Sequence, residues 1–181
     1  MKNTYIFRTI IGYIKIVESN NFITNIQFIS EKEVNSEQKH VIMEPMEPHE
    51  SKKLSEQKLS FDAKEKPLVI QAANQLEEYL SGSRKQFDLP LNPSGTEFQK
   101  KVWDILRTIP YGEHWSYKQV AIALEKPTAA RAVGMANNKN PIPIIIPCHR
   151  VIGSNGDLVG YAGGLEIKGQ LLNLEKGELW I

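Results

Sequence analysis

Hydrophobic and polar positions change texture along the chain, and each texture predicts a different kind of element. Over the first thirty residues Tyr5, Phe7 and Thr9 alternate with Ile6 and Arg8, Gly12 breaks the run, and Tyr13, Ile14, Ile16 and Val17 follow. Asn20 and Asn21 mark a turn before Phe22, Ile23, Ile26, Phe28 and Ile29. β-Branched and aromatic residues separated by turn formers predict strands. Residues 30–66 are dominated by Glu, Lys, Ser, Gln and Pro, with Pro45 and Pro48 and few large apolar residues. That composition predicts a mobile, solvated connection. After Pro67, the positions Leu68, Ala72, Leu76, Tyr79 and Leu80 recur at helical spacing, and Ser81-Gly82 closes the helix.

The stretch Asp88 to Gly95, with Pro90 and Pro93, reads as a crossing between domains. Beyond it the pattern is helical in short pieces. Thr96 with Gln99 predicts a capping box, and Phe98, Val102, Ile105, Leu106 and Ile109 form an apolar stripe. Pro110-Tyr111-Gly112 stops that helix. Ser116 with Gln119 predicts a second capping box, opening a helix that carries Val120, Ala121 and Leu124. Pro127-Thr128 opens a third helix, from Ala129 to about Ala136. Two short helices across a tight turn fit a helix-turn-helix or another small helical bundle.

From Asn140 the texture changes again. Pro141, Pro143 and Pro147 forbid a regular helix through Ile142–Ile146, so this apolar run predicts a buried extended segment leading to Cys148. Six of the twelve glycines lie in residues 153–169. Gly153-Ser154-Asn155-Gly156 is a hairpin signal, and Gly163-Gly164 allows close backbone approach. A last helix carries Leu171, Leu172 and Glu175.

Composition narrows the picture. A length of 181 residues allows one domain or two small ones, at roughly 100–200 residues per domain. One cysteine excludes an intramolecular disulfide framework and any multi-cysteine zinc or iron–sulfur site. No apolar run approaches the roughly 20 residues that span a bilayer, and Met1 to Arg8 lacks the features of a signal peptide. A reducing, cytoplasmic setting is expected, where a lone thiol stays free. The net charge of +1 conceals an asymmetry: residues 1–92 carry 12 basic and 13 acidic side chains, residues 93–181 carry 10 and 8. Within residues 116–150, Lys118, Lys126, Arg131, Lys139 and Arg150 are opposed only by Glu125. Such an excess fits either a solvated face or a surface for a polyanion.

Cys148 leads a His-Arg pair at the junction of the apolar run and the glycine-rich loop. A lone cysteine is commonly a small buried hydrophobe. It becomes a nucleophile when a base or positive charge promotes its ionisation. His149 is a candidate base, acting through a water because neighbours in extended chain point oppositely. Arg150 is a candidate fork that ties the loop to backbone carbonyls.

Pro147-Cys148-His149-Arg150-Val151 resembles the active-site motif of the O6-alkylguanine-DNA alkyltransferases, the methylated-DNA–protein-cysteine methyltransferases. Tyr111-Gly112, Ser116-Tyr117, Ala130-Arg131-Ala132-Val133-Gly134, Asn140-Pro141-Ile142-Pro143 and Tyr161-Ala162-Gly163-Gly164-Leu165 look like the same family, in its order and spacing. The likeness is strong over residues 67–181 and looser before them. It implies an α+β fold: a small N-terminal α/β, ribonuclease H-like domain over 1–92, with a polar loop about 30–66. A mainly helical, winged helix-turn-helix-like alkyltransferase domain follows over 93–181.

The resemblance also implies a chemistry: transfer of a methyl or other alkyl group from O6 of guanine in DNA to Cys148, once per molecule, with no cofactor and no metal expected. O4 of thymine is left open as a second lesion. Implied catalytic roles fall on Cys148 as acceptor, His149 as base through a water and Glu175 as its holder. Tyr117 would stand beside the extruded base, and Asn140 would order the turn around the site. Arg131 would take the place of the flipped nucleotide, with Tyr117, Lys118, Thr128, Ala129 and Ala130 at the duplex. Val151, Tyr161, Ala162, Gly163 and Gly164 would line the base pocket. The implied partner is double-stranded DNA with alkylated guanine, bound through the minor groove by a monomer, with cooperative binding left open. Relatives that hold an N-terminal zinc do so through cysteines absent here, residues 30–66 have no counterpart, and Asn137 and Ala162 leave the alkyl range open. Two other uses of these residues remain: a Cys-His thiol hydrolase or acyltransferase, and a non-catalytic helix-turn-helix module.

Overall fold

Alternation over the first thirty positions builds three strands, β1 (Lys2–Thr9), β2 (Gly12–Ser19) and β3 (Phe22–Ile29), in a computed structural model that describes residues 2–36, 42–43 and 67–178. They pair antiparallel, with Phe7 opposite Ile14 and Ile16 opposite Ile26. Asn20 and Asn21 both take positive φ, 53° and 62°, as a two-residue hairpin turn demands. Gly12, at φ 100°, does not break the run but opens β2, and the turn falls on Ile10-Ile11.

The expected solvated connection over residues 30–66 is corrected where it is described. Residues 31–36 form α1 (Glu31–Ser36), whose Ser30 backbone N–H donates to the Glu33 carboxylate at 2.7 Å while the Ser30 hydroxyl caps the Glu33 amide. Ile42–Met43 forms β4, parallel to β1, giving the sheet order β3-β2-β1-β4. The polar composition hid both, because a Ser-x-x-Glu cap and two strand residues carry little hydrophobic signal. Residues 37–41 and 44–66 lie outside the described residues.

Helix α2 (Pro67–Leu80) lays Val69, Ala72, Ala73, Leu76 and Leu80 onto Ile14, Ile16, Ile23 and Ile26 of the sheet. Each large aliphatic side chain buried there contributes roughly 1.5–3 kcal/mol. The crossing after α2 runs along the free edge of β3. Ile23 donates to the Pro90 carbonyl at 2.8 Å, Asn92 donates back to Ile23 at 3.0 Å, and Ile26 donates to the Pro141 carbonyl at 2.8 Å. An edge that could recruit another chain is thereby paired within this one.

The C-terminal part contains α3 (Glu97–Leu106), α4 (Tyr117–Ala123), α5 (Ala130–Asn138) and α6 (Gly164–Glu175). Both expected capping boxes form, Thr96 with Gln99 and Ser116 with Gln119. α5 starts one residue later and ends two residues later than its spacing predicts, without a side-chain cap. Trp103 of α3 is fully buried and donates from Nε1 to the Ala136 carbonyl at 2.9 Å, locking α3 to α5. Two short strands, β5 (Trp115–Ser116) and β6 (Val151–Ile152), pair in parallel. The Gly153–Gly156 turn forms, closed by Gly153 N–H to the Asp157 carbonyl at 2.8 Å, but no hairpin strand follows it.

The apolar run before Cys148 corrects another expectation. Ile142, Ile144, Ile145 and Ile146 are buried, yet the chain turns instead of extending: Ile146 donates to the Ile142 carbonyl at 2.9 Å and Ile144 sits at φ 72°. A β-branched residue in left-handed backbone is strained by on the order of 1–3 kcal/mol. Asn140 holds the turn from inside, accepting from the Ile142 amide at 3.0 Å and donating to the Ile146 carbonyl at 2.8 Å.

Candidate active site

The strained turn delivers Pro147 and then a single 3₁₀ turn, Cys148–Arg150, with all three side chains buried. Cys148 and His149 therefore do not alternate as in extended chain; in a 3₁₀ turn successive residues are roughly 120° apart. Burial pushes the Cys148 thiol up to about 11, against the pull of the Asn140 side chain and the Lys168 charge. At neutral pH the resting group is a thiol, and reaction needs a base.

His149 is completely buried, and its Nε2 lies 2.9 Å from Glu175 Oε1. Burial lowers its pKa below the usual imidazole value, with Glu175 pulling upward and Arg150 and Lys168 adding to the fall. Its Nδ1 is buried without a hydrogen-bond partner among the described residues. Glu175 is not the solvated helix end that its position in the sequence favours. Burial alone would raise its carboxyl, but hydrogen bonds and charge from His149 and Arg150 outweigh that and hold it at about 2.

Arg150 forks onto both carboxylate oxygens from Nε, at 3.0 Å each, and from Nη2 onto Oε1 at 2.9 Å. Its Nη1 reaches the Ile109 carbonyl at 2.6 Å, and the Gly112 amide donates to Glu175 Oε2 at 3.0 Å. Arg150 is a fork, as expected, but its main partner is the Glu175 carboxylate, with one backbone carbonyl, Ile109, besides. Its charge is thereby withdrawn from the positive segment 116–150, whose exposed cations are Lys118, Lys126, Arg131 and Lys139.

Two residues in this network were not anticipated. Tyr79, from α2 of the sheet domain, is fully buried, donates to Glu175 Oε1 and lies 3.2 Å from His149 Nε2. Its sequence signal was an ordinary apolar stripe position. Lys168 is fully buried in α6 and donates from Nζ to the Val151 carbonyl at 2.6 Å and the Val159 carbonyl at 2.7 Å. Burial lowers its pKa to about 8. A lysine three residues before the buried Leu171 was the available clue.

The remaining sequence candidates fall on two surfaces. Tyr117 opens α4, packs against Gly134 of α5, and donates to the Val159 carbonyl at 3.2 Å, so Tyr117 and Lys168 converge on one loop oxygen. Lys118, Thr128 and Arg131 are exposed, and Ala129 and Ala130 are partly buried at the start of α5. Val151 is buried on β6. Tyr161 is buried edge-on to His149, with ring centroids 6.3 Å apart, and tilted against Phe28 at 5.7 Å. The close approach allowed by Gly163 is to Phe28 of β3: a Cβ there would lie 3.0 Å from that ring. Ala162 and Gly164 are exposed, and Asn137, buried on α5, donates to the Cys148 carbonyl at 3.4 Å. Among the described residues no group of three or more His, Cys, Asp or Glu could hold a metal ion.

Fold and site together define a protein in which a small sheet domain and a helical domain with a helix-turn-helix enclose a buried Cys-His-Glu set. The ribonuclease-like domain of 6-O-methylguanine DNA methyltransferase matches residues 1–93, and the DNA binding domain of the same family matches residues 97–177. The chain belongs to the 6-O-methylguanine DNA methyltransferase family. A methylated-DNA–protein-cysteine methyltransferase of Methanosarcina barkeri is 60% identical over 114 residues, 63% of this chain and 72% of the relative. The constitutive enzyme of that name from Bacillus subtilis is 55% identical over 114 residues, 62% of this chain and 69% of the relative. Among solved structures, the Mycobacterium tuberculosis O6-methylguanine methyltransferase is similar with TM-score 0.73 and 34% identity, covering 99% of this chain and 95% of that one. The Mycobacterium tuberculosis OGT in complex with DNA gives TM-score 0.74 and 36% identity, covering 96% and 92%.

Proposed function

We propose that this protein repairs DNA by direct reversal, moving a methyl or other alkyl group from O6 of guanine in double-stranded DNA to Cys148. The observation that carries this is the buried Cys148-His149-Glu175 set in a chain whose two parts both match the same alkyl-transfer family. His149, through a water, takes the thiol proton. The thiolate attacks the alkyl carbon, a C–S bond forms, the C–O bond breaks, and the guanine anion left in the DNA strand takes up one proton, balancing the one His149 removed from the thiol. A thioether is a poor leaving group, so the thiol is not regenerated and each molecule acts once.

A stacked base is out of reach of a fixed thiol, so the damaged nucleotide must rotate out of the duplex, at a cost of a few kcal/mol. Lys118 and Lys126 beside α4 supply phosphate contacts, with the backbone at Thr128, Ala129 and Ala130. Arg131 fills the gap left by the extruded nucleotide. Tyr117 exchanges its bond to Val159 for the flipped guanine, and the backbone of Val151 and Tyr161–Gly164 lines the pocket. We place the boundary between the sheet domain and the transfer domain at residues 92 and 93.

Intact-mass measurement after incubation with a methylated oligonucleotide should show one added methyl per molecule, on Cys148. Addition should stop at one equivalent however much DNA is supplied; turnover beyond one would overturn the proposal. The pH dependence tests the base. Below the titration of His149 the imidazole is protonated and cannot accept the thiol proton. The rate should therefore rise with pH to a plateau, at a midpoint below the ordinary imidazole value because burial lowers this pKa. In His149→Ala that acid limb should vanish and the plateau should fall by roughly a hundredfold, with DNA affinity retained. A wild-type rate that instead climbs only as the thiol ionises, near 11, would show that His149 is not the base.

A further inference from the structure

Glu175 Oε1 is the meeting point of three side chains, and one of them comes from the other domain. Tyr79 of α2 donates to that oxygen, and its own oxygen lies 3.2 Å from His149 Nε2. A phenol has one proton to give. With that proton directed to the carboxylate, the tyrosine oxygen presents lone pairs to Nε2, which already faces Glu175 Oε1 at 2.9 Å. Two acceptors converging on one ring nitrogen require it to carry hydrogen. The alternative, with Tyr79 donating to a bare Nε2, would set the nitrogen lone pair against a carboxylate oxygen in a buried site, where unpaired polar groups are expensive.

The tyrosine ring is held from several sides: Tyr111 edge-on at 5.9 Å between centroids, Phe87 tilted at 5.2 Å and His149 at 6.5 Å. Its hydroxyl is thus fixed in position rather than free to swing.

We infer that Tyr79 of the N-terminal domain is a positioning residue for His149, holding the imidazole as the Nε2–H tautomer so that Nδ1 keeps the lone pair that accepts the thiol proton. The use of that lone pair rests on the alkyl-transfer reading; the tautomer itself does not. The sheet domain thereby completes a site whose acceptor, base and carboxylate all belong to the helical domain.

The test is Tyr79→Phe, which removes one oxygen and keeps the ring. The first-order transfer constant at saturating methylated DNA should fall on the order of tenfold, since Glu175 still holds Nε2–H in part. Oligonucleotide affinity should be unchanged. Nitrogen-15 spectra of the His149 ring, recorded on the plateau of the rate profile, should show the proton on Nε2 in wild type and a measurable Nδ1–H population in the variant. Unchanged rate and ring signals would overturn the inference, and so would a slower rate with unchanged ring signals, which is what a purely structural hydroxyl predicts. If the variant does not fold, the wild-type spectrum decides: a proton on Nδ1 overturns the inference. If wild type takes up no methyl, the proposed function fails, while the ring spectra still decide the role of Tyr79.

Discussion

Replacing Glu175 with alanine should lower the stability of the whole protein by about 3–5 kcal/mol, the usual consequence of stranding one partner of a buried ion pair. The stranded partner is Arg150, whose Nε and Nη2 both bond to the carboxylate and whose side chain has little exposure. The guanidinium's remaining bond, to the Ile109 carbonyl, does not neutralise its charge. Tyr79, His149 and the Gly112 amide lose an acceptor as well. For a chain of this size each kcal/mol moves the melting temperature by roughly 2–4 °C, so a drop on the order of 10 °C is expected in thermal denaturation.

The pH dependence follows from the depressed carboxyl. Its folded value of about 2 lies below the ordinary 4.5, so it contributes stability that is present above 4.5 and lost as the pH falls towards 2. The difference between wild type and Glu175→Ala should therefore shrink across that acid window. A variant that melts within about a degree of wild type at neutral pH would show that Arg150 does not depend on Glu175.

How much of this site could be read beforehand depended on the range of each signal. Cys148, His149 and Arg150 are neighbours in the chain, and the Thr96–Gln99 and Ser116–Gln119 caps span three residues, so local chemistry exposed them. Tyr79 is 96 residues from Glu175 and 70 from His149, and no periodicity encodes which apolar stripe position carries a hydroxyl into another domain. Arg150 was legible as a fork, but its carboxylate partner, Glu175, lies 25 residues on and only packing reveals it. The Asn140–Ile146 turn escaped for a different reason. The three prolines that exclude a helix point to extended chain, isoleucine disfavours positive φ, and the bonds that overrule both come from the Asn140 side chain. The resemblance to a family supplied roles for Glu175 and Tyr117 that the residues alone would have assigned to solvent and to helix packing.

Cys148→Ala should take up no methyl group from DNA while binding the alkylated duplex as tightly as wild type. The substitution should leave a folded protein, because deleting one buried sulfur costs on the order of 1 kcal/mol against a total stability of roughly 5–15 kcal/mol. Loss of transfer is then a loss of chemistry. The neighbouring groups are poorer nucleophiles than a thiolate: His149, with Nε2 on Glu175, offers only a neutral ring nitrogen, and Lys168 donates to two carbonyls. The variant also separates the alternative uses of Cys148. A thiol hydrolase would show a burst and then steady turnover on an ester in wild type, abolished in the variant. A non-catalytic binding module would give equal DNA affinity and no methyl uptake in both chains. The acceptor role predicts one equivalent in wild type, none in the variant, and no steady phase in either. A thiol held at about 11 fits that role, since at neutral pH it stays protonated and weakly nucleophilic until a base takes its proton. Methyl uptake by Cys148→Ala would place the acceptor elsewhere in the chain and leave the buried Cys-His-Glu set without its proposed purpose.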